Sequence, residues 1–191
     1  MAYGALGRIG SCCRQMGNLG DAEKQFRKSI DWLKKHGQDE AQISAALNNL
    51  AFTYEDWLKY DKAIKTYKES LKFRRQCDDG NLVEMSATLM NLGYCCRITG
   101  KLKKSLKLME EAVKFSRECY SSSHPLLARD ICHLSTTYDI LDRKAEALDR
   151  ANEAFDIAKA SLPSSYSQLT ECEYSILLLK CIIALYRDTG R

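Results

Sequence analysis

Small and apolar residues return along this chain at a nearly constant interval. Aligned on Ala22, Ala63, Ser105 and Ala147, the spacings are 41, 42 and 42 residues. Sixteen positions before each anchor stand Leu6, Leu47, Leu89 and Ile131, and thirteen before stand Ile9, Leu50, Leu92 and Leu134. Twelve before, the residue is always small: Gly10, Ala51, Gly93 and Ser135. Nine before come Cys13, Tyr54, Cys96 and Tyr138. Four after the anchor stand Phe26, Tyr67, Met109 and Ala151, and four further on Ile30, Leu71, Val113 and Phe155. Offsets of three, four and seven are helical, so each block carries two apolar stripes. The stripes are separated by Gly17-Asn18, Lys59, Gly100-Lys101 and Asp142-Arg143. Each block therefore reads as an antiparallel pair of helices, A then B, whose small residues let the two backbones approach closely.

The pattern places helices A at roughly 3–16, 40–56, 82–98 and 125–141, and helices B at 20–35, 60–75, 102–118 and 144–160. Stops between blocks are legible at His36-Gly37, Asp78-Asp79-Gly80, Ser121-Ser122-Ser123 and Leu162-Pro163-Ser164-Ser165. Pro125 suits a first helical position, where its missing N–H costs nothing. A fifth block begins with Leu179, Ile182, Ile183 and Tyr186, so a ninth helix is expected over 168–187. The expected organisation is one solenoid over 1–191, with repeats 3–38, 40–80, 82–123 and 125–163. A partial fifth repeat or capping helix follows at 168–191. Since that block is incomplete at Arg191, the chain is expected to be a piece of a longer protein.

Composition narrows the class. Hydrophobic residues make up 45% and charged residues 28% of 191, which a disordered chain would not carry. The net charge of +4 is too mild to imply a nucleic-acid partner by itself. The nine cysteines are odd in number and contain no Cys-x-x-Cys, so they read as small buried hydrophobes of a reducing, cytoplasmic compartment. The most apolar stretch, 176–185, is interrupted by Lys180 and is too short to span a membrane. His36, His124 and His133 have no metal-ligand spacing, and Gly4, Gly7 and Gly10 do not form a phosphate-binding loop. No catalysis, metal or cofactor is expected.

The motifs Leu47-Asn48-Asn49-Leu50-Ala51 with Tyr54, and Leu89-Met90-Asn91-Leu92-Gly93, together with the anchors, resemble tetratricopeptide repeats. The 42-residue period is similar to the kinesin light chain subclass, and Ser123-His124-Pro125-Leu126-Leu127-Ala128 resembles its linker. Gly80 with Val83-Glu84 resembles the linkers of Leu-Gly-Asn repeat proteins. The resemblance covers essentially the whole chain. It implies an all-α fold, a right-handed α-solenoid of antiparallel helix pairs, acting as a protein-interaction scaffold. Arg8 and His133 stand where Asn49 and Asn91 stand in the other repeats, and Leu58 and Asp142 replace the turn glycine. Some chaperone-binding members clamp a C-terminal carboxylate with groove lysines. The corresponding slots here hold no lysine, so that clamp is not expected.

In stacked helical pairs the A helices line a concave groove. Off the apolar stripe, the slots hold Gly7, Ser11 and Arg14; Asn48, Phe52 and Glu55; Met90, Tyr94 and Arg97; and Cys132, Thr136 and Asp139. Asn49, Asn91 and Arg129 lie beside them. The candidate groove residues are thus Arg14, Asn48, Asn49, Phe52, Asn91, Tyr94, Arg97, Arg129 and Thr136. Asparagine suits a peptide backbone, the aromatics supply apolar area, and the arginines suit carboxylates. The expected partner is a protein or peptide segment with apolar and acidic anchors. Asn49 and Asn91 serve equally well as bonds that only hold the stack. Two alternatives stand beside the groove. The apolar 168–191 segment suits a homo-oligomer, and the basic runs Lys59 to Arg75 and Lys101 to Arg117 suit RNA or an anionic surface. For those runs a solvated outer face is the favoured reading.

Overall fold

The computed structural model describes residues 2–37, 39–77 and 81–161. Eight helices follow one another, with no strand among the described residues: α1 (Ala2–Gln15), α2 (Leu19–Lys35), α3 (Glu40–Asp56), α4 (Tyr60–Arg74), α5 (Leu82–Ile98), α6 (Leu102–Cys119), α7 (Pro125–Ile140) and α8 (Lys144–Ser161). Every end lies within one residue of its expected position. The helix expected over 168–187 lies outside the described residues.

The helices group into two compact units, Met1–Gly100 with α1–α5 and Lys101–Arg191 with α6–α8. The expected repeat 82–123 supplies α5 to one unit and α6 to the other. In the first unit α1 pairs with α2 and α3 with α4, while α3 also packs on α2 and α5 on α4. In the second, α7 pairs with α8 and packs on α6. The anchors Ala22, Ala63, Ser105 and Ala147 are all fully buried, as are Ala51 and Ser135. At Gly10 even a methyl group would lie 3.0 Å from the buried Phe26 ring, so this crossing of α1 on α2 has no spare volume.

Turns inside and between repeats use different chemistry. Within a repeat the A helix ends on a left-handed residue: Gly17, Leu58, Gly100 and Asp142 have φ of 78°, 56°, 73° and 59°. The next amide then reaches back to the helix, Asn18 to the Cys13 carbonyl at 2.8 Å and Lys59 to that of Tyr54 at 2.8 Å. These are the bonds of a Schellman motif. Between repeats, side chains cap the A helices: Asp39 accepts from the Ala41 amide at 2.9 Å, Asn81 from Glu84 at 3.2 Å and His124 Nδ1 from Leu126 at 3.2 Å.

Two stripe positions and one basic residue depart from the sequence reading. Ile9 is 48% exposed although its equivalents Leu50, Leu92 and Leu134 are buried. Leu50 and Leu134 face the B helix of the preceding pair, and no described helix lies there for α1. Phe155 is 45% exposed although its equivalents Ile30 and Val113 are buried. Arg74, counted in sequence among outward basic residues, is buried. Its guanidinium meets Glu84 in the first turn of α5 and lies 3.5 Å from the Ala41 carbonyl of α3, tying three helices together.

Candidate functional site

The A-helix face of the first unit carries side chains from α1, α3 and α5. Residues 48 and 52 lie one turn apart on α3, as do 90 and 94 on α5, so each helix presents a short stripe beside its packed one. Phe52 is 40% exposed. The Arg14 guanidinium from α1 lies 4.4 Å from its ring centroid and donates to Asp56 Oδ2 at 3.1 Å. Two expected groove residues from neighbouring repeats are thus brought together. Asp56, which sequence reasoning missed, follows Phe52 by four residues, and that spacing was the available signal. On α5, Arg97 lies 5.4 Å over the Tyr94 ring, and Tyr94 is hydrogen-bonded to Tyr60 of α4. Asn48 Oδ1 is buried and meets no donor among the described residues. Asn49 is exposed.

Other candidates are engaged inside the protein. Asn91 is hydrogen-bonded to the Tyr67 hydroxyl of α4. In the second unit Arg129 donates Nε and a terminal nitrogen to Asp130 Oδ1 at 3.2 and 2.9 Å. Buried Asp130 also accepts from Ser116 Oγ at 2.7 Å, so Arg129 helps neutralise an interior charge. The Thr136 hydroxyl donates to the Cys132 carbonyl of its own helix at 3.0 Å. Met90 and Cys132, placed in groove slots by the sequence, are only 4% and 3% exposed. That slot borders the interhelical stripe, and an apolar side chain gains by turning into it.

Glu55 also turns inward. Its carboxylate accepts from the Tyr67 hydroxyl and is hydrogen-bonded to Cys95 on α5. Burial pushes its carboxyl above the usual 4.5, against the hydrogen bonds from Tyr67 and Cys95. Burial, and then the Glu55 charge, push the Tyr67 hydroxyl and the Cys95 thiol upward as well. The cluster is a polar seam binding α3, α4 and α5, and its thiol is held protonated and inert.

On the opposite, B-helix side, tyrosines repeat a different device. Tyr54 of α3 donates to Glu23 Oε1 at 2.7 Å and accepts from Arg27 at 2.8 Å, while Arg27 Nε donates to Glu23 at 2.9 Å. Tyr138 of α7 donates to Glu110 at 2.7 Å, with Arg143 4.6 Å from its ring centroid. Burial, then the carboxylate bond, pushes each hydroxyl up to about 12. Both tyrosines tie an A helix to the B helix before it. Among the described residues no cluster of His, Cys, Asp and Glu could hold a metal ion, and no helix is long and apolar enough to cross a membrane.

A family model described as tetratricopeptide repeat matches residues 2–76 and 84–160. Among curated proteins none matches the chain. Solved structures resemble it at low identity. BtubC (BKLC) from P. vanneervenii superposes with a TM-score of 0.86 at 17% identity, over 97% of this chain and 72% of that one. A Podosopora anserina protein described as a kinesin light chain with nearly identical TPR-like repeats gives 0.78 at 15% identity, over 97% and 88%. The apo form of RapI gives 0.77 at 15%, and there the chain spans 51% of the other's length. At such identities the likeness establishes the fold, an all-α solenoid type built from antiparallel helix pairs.

Proposed function

Because the chain belongs to the tetratricopeptide repeat family, we propose that it is a non-catalytic scaffold that takes up a peptide segment on the A-helix face of its first unit. The repeat fold supports protein–protein interaction in general, and families of this type are generally non-catalytic. The observation that carries the finer reading is Asn48 Oδ1, a buried acceptor left open on that face. Buried polar atoms are nearly always satisfied, so an open acceptor between exposed side chains suits a donor brought by a ligand, such as a peptide N–H. Phe52 lies on the same stripe of α3 with its ring 40% exposed, an apolar anchor point. Arg14 beside Phe52 and Arg97 beside Tyr94 each place a guanidinium next to an aromatic ring on this face, a pairing that suits a ligand carboxylate. The free cysteines among the described residues suit a reducing cytoplasmic setting.

A peptide array probed with the wild-type chain, followed by titration of the best binder, tests this. Micromolar affinity is expected, falling about tenfold in Tyr94→Ala/Arg97→Ala. Equal affinity in the double variant, with unchanged thermal melting, contradicts the assignment.

A further inference from the structure

Arg14 of α1 meets Phe52 and Asp56 of α3 at one end of the A-helix face. Phe52 and Asp56 are one helical turn apart, so ring and carboxylate stand on the same side of α3. The guanidinium lies 4.4 Å from the ring centroid, and its Nη1 donates to Asp56 Oδ2 at 3.1 Å. Both partners of this ion pair keep part of their side chain in solvent. We infer that Asp56 is a specificity-determining residue of the A-helix face: its carboxylate occupies Arg14 where a ligand carboxylate would bind, and so weighs against acidic segments at that end. The inference rests on the reading of this face as a peptide site.

Nothing in the repeat calls for an acid at this position. Seven before the anchors, the other repeats hold Gln15, Ile98 and Ile140. Helix electrostatics oppose it as well. Asp56 is the last residue of α3, where the negative end of the helix dipole disfavours a carboxylate. The last turns of α1 and α5 carry Arg14 and Arg97, whereas that of α3 has no basic residue. The acid finds its compensation across the face, in the arginine of the preceding repeat.

That contact changes what Arg14 accepts. A ligand carboxylate that takes the place of Asp56 breaks the existing pair, and one that settles beside it meets a like charge. A backbone carbonyl or side-chain amide carries no net charge and meets no such repulsion. Asp56 therefore lowers the affinity of acidic segments selectively, without filling the apolar surface that Phe52 offers.

The test uses the full chain and an array of twelve-residue peptides. Each acidic member is paired with a copy carrying glutamine for every glutamate and asparagine for every aspartate. The tightest pair is then titrated by fluorescence anisotropy against wild type, Asp56→Asn, Arg14→Gln, Arg14→Gln/Asp56→Asn and Asp31→Asn. Asp31 is an exposed acid of α2 that lines the cleft on the B-helix side, so its replacement controls for net charge. Asp56→Asn is expected to bind the acidic member roughly threefold to fivefold more tightly than wild type, and the amide member within about twofold. The gain should be absent in Asp31→Asn and when Asp56→Asn is added to Arg14→Gln. Unchanged or weaker binding of the acidic member by Asp56→Asn overturns the inference, as does an equal gain for both members or in Asp31→Asn. If Tyr94→Ala/Arg97→Ala still weakens the same peptides, the role of Asp56 falls alone. If that variant binds as wild type does, or no array member binds, the peptide-site reading falls with it.

Discussion

Leu58 holds a left-handed backbone conformation, φ 56°, with its side chain 72% exposed. The equivalent slots are Gly17 and Gly100, for which such a φ carries no Cβ penalty. The penalty for leucine is about 1–2 kcal/mol, part of which glycine gives back as entropy in the unfolded chain. Leu58→Gly is therefore expected to stabilise the protein by about 0.5–1 kcal/mol in denaturant unfolding. Glu55 gives the second prediction at this scale. Burial raises its carboxyl in the folded protein above the unfolded value. Its contribution is then fully present below the ordinary carboxylate range and is lost as pH rises through the folded value. Glutamine does not titrate, so Glu55→Gln should melt higher than wild type at pH 7. The difference should shrink as pH falls through the raised folded value and vanish below the ordinary carboxylate range, and a constant offset across pH would contradict it. Leu58 was legible in sequence as a departure from the turn glycine, since one slot in each repeat carries that role. The inward turn of Glu55 was not. It depends on a tyrosine twelve residues away on the partner helix, and periodicity places faces rather than hydrogen bonds.

Helix pairing rests on positions where no side chain fits. Gly10 and the anchor alanines set the closest approach of A on B, so Ala63→Leu should destabilise by about 1–3 kcal/mol through overpacking. Gly10→Ala acts in the same direction because of the Phe26 ring. Arg129 separates structure from binding at the scale of α6 and α7. Removing it leaves Asp130 with Ser116 alone, so Arg129→Ala should cost about 1.5–3 kcal/mol in thermal or denaturant unfolding. Peptide affinity measured on the folded fraction should not change. Helix boundaries were readable to within a residue because small anchors, caps and turn residues agree with the apolar period. The expected groove was readable only in part. Arg14 with Phe52 and Tyr94 with Arg97 come together as the spacing suggested. Asn91, Arg129 and Thr136 form internal bonds instead, because a polar side chain beside a packed stripe has donors and acceptors within reach on its own or the next helix.

At the scale of the whole molecule, repetition leaves surfaces in two kinds. A-helix stripes carry asparagine, aromatic and arginine side chains, and B-helix clefts share one buried floor while some wall charges differ, Lys34 and Arg117 keeping their sign and Lys62 and Glu146 not. The repeat dictates the first part of each description and not the second, so binding chemistry is to be sought where equivalent slots differ. The assignment of the A-helix face as the peptide site is tested most directly by hydroxyl-radical footprinting of the full chain, with and without a saturating array-selected peptide. Phe52 and Tyr94 should lose most of their oxidation on binding, while exposed Ile140 and Leu58 keep theirs. Unchanged oxidation of Phe52 and Tyr94 at saturation would contradict the account.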